Sequence, residues 1–146
     1  MKGNEKERQM IKEVAAKTAQ KVVGPRAEEI DATGEFPWDL VDTFGKQGLL
    51  SVLFPEEYGG TNGDLTSFCC VIEEIAKVSG SSSLLILAQG VGAMPIVLAG
   101  NPSQQERYFT QIAEKNSLAA VTLREQGEGL DITFVFNSKC SDSSFS

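Results

Sequence analysis

The chain has 146 residues, enough for one domain with a buried core. Its net charge of −7 argues against nucleic acid as a partner, and the absence of histidine excludes Ser-His-Asp or Cys-His chemistry built from this chain alone. Cys69, Cys70 and Cys140 lack any zinc spacing; they read as reduced thiols, with Cys69 or Cys70 filling core.

The N-terminal stretch Met1–Gln20 is charged and has no apolar centre, so no signal sequence is visible and a cytoplasmic protein is expected. Met10, Ile11, Val14, Ala15, Thr18 and Val22 recur at helical spacing and predict a first helix over 5–23, stopped by Gly24-Pro25. Residues 26–36 read as a connector with a turn near Gly34. Pro37 starts a second helix with Leu40, Val41 and Phe44 inside. A short apolar run, Leu49–Phe54, leads to a loop marked by Pro55 and Gly59-Gly60.

Asp64 is a suitable N-cap for a third helix reaching about Ser79-Gly80, with Phe68, Val71, Ile72, Ile75 and Ala76 as its stripe. Glu73-Glu74 on that helix reads as a solvated face, with a salt bridge across the bundle as the other reading. Ser81-Ser82-Ser83 opens a fourth helix to about Ala99, apolar nearly all round and so centrally buried, with Pro95 kinking or restarting it. The run Leu84–Ala99 contains Gln89, Gly90, Gly92 and Pro95 and falls short of the ~20 residues of a membrane span. Ser103 is expected to cap a fifth helix, with Glu106 at capping-box distance and Tyr108, Phe109 and Ile112 on the helix. Trp38, Tyr58 and Met94 read as packing residues. Residues 118–123 read as a strand without a partner in the chain, and residues 132–146 as an irregular, Ser-rich tail. The fold class expected is all-α: an up-and-down bundle of about five helices with one C-terminal strand.

Several of these segments carry a resemblance when taken in order. They are Gly24-Pro25, Phe36-Pro37, Pro55-Glu56-Glu57-Tyr58-Gly59-Gly60, Ile72-Glu73-Glu74-Ile75-Ala76, Met94-Pro95, and Gly100-Asn101 followed by Gln105-Glu106-Arg107-Tyr108-Phe109. Over roughly Glu5 to Asp131 the chain resembles the N-terminal helical domain of acyl-CoA dehydrogenases. The resemblance implies residues 1–117 as that domain, 118–131 as the start of a middle β domain, and 132–146 as an unassigned tail. It implies FAD as cofactor, acyl-CoA as substrate, an electron-transfer flavoprotein as partner, and a homo-oligomer at full length. The implied reaction is α,β-dehydrogenation of an acyl-CoA thioester.

Carried over residue by residue, the resemblance places Leu87 at the closed end of the acyl pocket. Val91 stands one turn nearer the thioester, and Ser83 one turn beyond Leu87. Read from periodicity alone, these positions are bundle core. The family's flavin strand corresponds to Leu123, Arg124 and Glu125, but Arg124 stands where a threonine is usual and Gln126 where a proline is usual. Leu130 takes the place of a serine that contacts substrate. Without the resemblance, Gly127–Gly129 is a plain turn. No catalytic residue and no metal ligand are assigned, because the family's usual catalytic glutamate belongs to a later domain. The Ser-rich change after Asp131 is expected to reflect truncation or a shifted reading frame, and this chain alone is expected to turn over little or not at all. The other reading is a non-catalytic helical module that binds an acyl chain or a protein partner.

Overall fold

The structure, a computed structural model, describes residues 5–120. Five helical rods account for most of them, and no strand occurs among the described residues. The all-α bundle is therefore as expected. Of the strand expected over 118–123, residues 118–120 have no regular secondary structure, and the remainder lies outside the described residues, as does the tail over 132–146.

The first rod is longer than its sequence suggests. Helix α1 (Glu5–Thr18) passes through a π-helical turn, Ala19–Val23, directly into α2 (Gly24–Thr33). Gly24-Pro25 does not stop it, and the expected connector over 26–36 is mostly helix. The π turn explains why. Proline lacks an N–H and clashes with the carbonyl four residues back in a regular α-helix. Here the register has just widened, with Gly24 N–H bonding Ala19 O, and Pro25 sits in the first turn of the following segment. The rod ends where Gly34 adopts the left-handed conformation (φ 67°) and returns its N–H to Ile30 O.

Helix α3 (Trp38–Lys46) follows Pro37 and buries Leu40, Val41 and Phe44, as its spacing predicts. Trp38 does not pack into the core: it is 64% exposed and leans on Phe36, ring centroids 4.6 Å apart. The apolar run over residues 49–54 forms a buried turn, and residues 61–63 bond back to its carbonyls. Phe54 from this turn stacks on Phe109 at 4.2 Å, with Tyr58 tilted against the same ring.

Helix α4 (Leu65–Ala76) packs between α1 and α5 (Gly80–Ala99). Asp64 caps it as expected, accepting from the backbone N–H and the hydroxyl of Ser67, both at 2.9 Å. The same carboxylate takes Arg8 of α1 through Nε at 3.0 Å and Nη2 at 2.5 Å. Glu74 corrects the solvated-face reading. It is buried and bridges to Lys12 of α1 at 3.5 Å and to Lys77 at 2.7 Å, while Glu73 is exposed. Hydrogen bonding to Lys77 outweighs burial and holds the Glu74 carboxyl below its ordinary value. Ala76, expected on the inner stripe, is exposed.

Helix α5 is uninterrupted through Gly90, Gly92 and Pro95, so Pro95 does not restart it. Its 20 residues are long and apolar enough to cross a membrane by length and composition. Ser82, Ile86, Gln89 and Ala93 are buried inside the bundle, but Leu84, Leu87, Val91 and Leu98 are exposed, so α5 is buried on one face rather than centrally as its all-round apolar character suggests. Ser79, not the serine run that follows it, caps α5 by accepting from Ser82 N–H. Helix α6 (Pro102–Lys115) is capped by Asn101 with Gln104 closing the box, which corrects the Ser103–Glu106 pairing. Pro102 fixes the reason. Proline is favoured at the first helical position, so the residue before it becomes the cap.

Asp64 ties the α4 terminus to α1, so its loss is measurable. Asp64→Ala is expected to cost about 1–2 kcal/mol through the lost cap, and Asp64→Asn less, because an amide still caps. Arg8 and Ser67 hold the Asp64 carboxyl well below the usual carboxylate range. A carboxyl depressed on folding adds stability that is complete above about pH 5 and lost as pH falls below about 4 toward the folded value. Urea midpoints at pH 7 and pH 3 check this: the acid loss should shrink in Asp64→Asn.

Candidate functional site

Two apolar stripes face each other across α4 and α5, running from core residues such as Phe68 to side chains left open at the surface. On α4, Leu65, Phe68, Cys69 and Ile72 recur at three- and four-residue spacing, which places them on one face. On α5, Leu87, Gly90, Val91, Met94, Pro95 and Leu98 do the same. Between them lies an open groove of about 730 Å³. No carboxylate, ammonium or guanidinium lines it. Leu65, Leu87, Val91 and Leu98 are exposed, Leu98 by 75%. A contiguous apolar surface of this kind marks a binding or contact site, and its volume suits a small-molecule ligand.

The floor of the groove depends on one glycine. A Cβ on Gly90 would fall 2.0 Å from the Phe68 ring. Only a residue without a side chain lets the ring lie against the α5 backbone, and Phe68 is accordingly buried.

The structure brings two of the sequence-derived positions together and leaves others apart. Leu87 and Val91 both line the groove, one turn from each other. Ser83 lies a further turn back, buried, with its hydroxyl donating to Gly80 O at 2.6 Å, and is not part of the groove lining. Leu123, Arg124, Glu125 and Leu130 lie outside the described residues. Cys69, read as a core candidate, is instead exposed at the groove, and Cys70 is half-buried. The spacing on α4 names Phe68 and Ile72 but assigns them to the same stripe as Val71 and Ile75; with Leu65 and Cys69 they form a second face, which their helical spacing also carries. Among the described residues no cluster of three or more potential metal ligands occurs. The groove lining also offers no set of polar donors that would hold a flavin ring or a pyrophosphate, so FAD does not fit there.

The fold and the site together define an all-α bundle with an open apolar groove between α4 and α5. The model of the acyl-CoA dehydrogenase N-terminal domain family matches residues 5–116. The chain is 42% identical over 127 residues to the cyclohex-1-ene-1-carbonyl-CoA dehydrogenase of Syntrophus aciditrophicus, covering 86% of this chain and 31% of that protein. It superimposes with a TM-score of 0.81 on a chain of the structure described as the electron transferring flavoprotein of Acidaminococcus fermentans. That match has 34% identity and covers 90% of this chain and 35% of the other. With the acyl-CoA dehydrogenase complexed with FAD from Bacillus anthracis the TM-score is 0.75 and the identity 32%, over 86% of this chain and 22% of that one. The chain belongs to the acyl-CoA dehydrogenase family. It spans about a third of the length of the curated relative it matches.

The Phe68–Gly90 contact makes a specific demand. Gly90→Ala is expected to lower stability by about 1–3 kcal/mol through overpacking. Phe68→Leu in the same chain should recover part of that loss, since it removes the ring that the new methyl meets. A urea-unfolding cycle of the two single variants and the double variant measures the coupling.

Proposed function

We propose that residues 65–99 of this chain form one wall of the acyl pocket of an acyl-CoA dehydrogenase, and that the assembled enzyme carries out α,β-dehydrogenation of acyl-CoA thioesters. The observation that carries this reading is the pair of uncharged stripes left open between α4 and α5, with Leu87 and Val91 among them. Membership of the family supports it. An alkyl chain gains about 0.8 kcal/mol for each methylene it buries, so a wall without charge suits this cargo.

FAD, when bound, supplies the acceptor for the hydride lost from the β carbon; the relative from Bacillus anthracis is complexed with it. We assign its contacts in this chain to Leu123, Arg124 and Glu125 in the segment 118–131, read as the start of the middle β domain, and we assign Leu130 to the substrate. The described residues do a different part of the work. They bind the acyl chain, exclude water from it, and place it beside whatever group removes the α proton, because the groove lining contains no base. An electron-transfer flavoprotein is the proposed electron acceptor, in keeping with the likeness to the Acidaminococcus fermentans chain. A homo-oligomer is the proposed assembly.

Cys69 gives the groove a built-in reporter. In protein carrying Cys70→Ser and Cys140→Ser, saturating acyl-CoA is expected to slow alkylation of Cys69 at least tenfold. The protecting affinity should rise with chain length by up to roughly fourfold per methylene, and Val91→Asp should abolish protection. Protection by free coenzyme A to the same degree, or affinity that ignores chain length, would overturn the acyl-wall reading. A visible absorbance spectrum after incubation with FAD adds to this: a retained flavin band would favour the enzyme over a non-catalytic acyl-binding module.

A further inference from the structure

The face of α5 turned away from the groove carries a polar side chain that an apolar bundle has no need of. Gln89 is 1% exposed, between Leu87 and Val91 in sequence but on the opposite side of the helix. Its Oε1 accepts from the backbone N–H of Ala119 at 2.7 Å. That donor fixes the orientation of the amide, since only the oxygen can face an N–H. The Nε2 group is then directed elsewhere and finds no acceptor among the described residues. One turn along, Gly92 leaves room for the same segment: a Cβ there would lie 2.9 Å from the Ala119 Cβ and 3.0 Å from the Ala120 nitrogen. A hydrogen bond and a missing side chain thus converge on the two last described residues.

We infer that Gln89 and Gly92 form a latch that fastens residues 119–120 to the back of the helix whose front carries the acyl groove. Gln89 is a positioning residue in this arrangement. It touches no substrate, and it sets the direction in which the chain leaves the bundle. The geometry makes it specific. Ala119 stands 30 positions from Gln89 in the chain, and its N–H has no helix or strand to satisfy it, so the side-chain amide is its partner. Leu118 and Ala119 are themselves half-buried against the core, which brings the N–H within reach. Under the acyl-wall reading, the latch holds residues 119–120 in fixed relation to Leu87 and Val91; that consequence rests on the reading, and the latch itself does not.

Amide hydrogen exchange of the whole chain, read residue by residue by NMR, tests it. In the wild type the Ala119 amide should exchange slowly. Gln89→Met keeps the length and removes both polar atoms, and should speed Ala119 exchange about tenfold, as expected for one lost hydrogen bond, with amides of α1 and α4 unchanged. Gly92→Ala retains Gln89 and should also release Ala119, because the new methyl occupies its place. Cys69 protection by acyl-CoA should survive in both variants. Ala119 exchange that stays slow in Gln89→Met, or that quickens only in step with every amide of the bundle, would overturn the latch. Absence of acyl-CoA protection in the wild type would overturn the acyl-wall reading and leave the exchange result to decide the latch.

Discussion

Helix α5 sets the terms for the rest of this structure, because it is apolar on nearly every side and a helix of that kind needs cover all round. Inside the bundle, Ile86 and Ala93 are fully buried. On the side facing α4, the Phe68 ring closes against Gly90. Around that contact a groove remains, and Leu65, Leu87, Val91 and Leu98 stay exposed along it. The bundle therefore buries one face of α5 and presents the other. A helix that were amphipathic in the ordinary sense would have had a polar outer face and no groove.

Charge is arranged so that the groove stays free of it. The ion pairs that secure α4, Arg8 with Asp64 and Lys12 with Glu74, all reach to α1. Both carboxylates are mostly buried, and such pairs hold only where hydrogen bonds satisfy the remaining lone pairs. Ser67 does this for Asp64 and Lys77 for Glu74. The α4 helix is thus clamped near its start and its end from one side. Its other side keeps Leu65, Phe68, Cys69 and Ile72 for the groove.

How much of this was legible depended on whether a signal was local. The cap at Asp64 and the inner face of α3 rest on residue spacing within one element, and each is found as read; α5 is the long apolar helix its residues announce, but it is buried on one face and open on the other. The failures came where a neighbouring element or an unusual turn decides. Pro25 reads as a stop unless the π turn before it is known, and nothing in the sequence announces that turn. Glu74 reads as solvated because its partner Lys12 is far away in the chain. Asn101 was hidden behind Ser103 because both suit a cap, and only Pro102 between them decides. Within the candidate site, Leu87 and Val91 are legible through the family resemblance. The facing stripe on α4 is only half legible: Phe68 and Ile72 read as inner residues, but one helix carries two apolar faces, and spacing alone merges them into one. Gln89 has no sequence signature as a latch, since its meaning depends on where residue 119 returns.

The chemistry that suits such a wall follows from what it lacks. The groove has no histidine, carboxylate or amine, so it cannot move a proton by itself. What it can do is lower the local polarity. A carboxylate brought against an apolar surface loses hydration, and its pKa rises toward the range in which it works as a base near neutral pH. In the proposed enzyme, an apolar wall and a base on a separate element would therefore divide one task between them. The wall would hold the alkyl chain through many weak contacts and strip water from it, and the base would act on a carbon acid already placed by the wall. Any charge introduced along Leu87 or Val91 would then undo both effects together, by hydrating the pocket and by restoring solvent to the base.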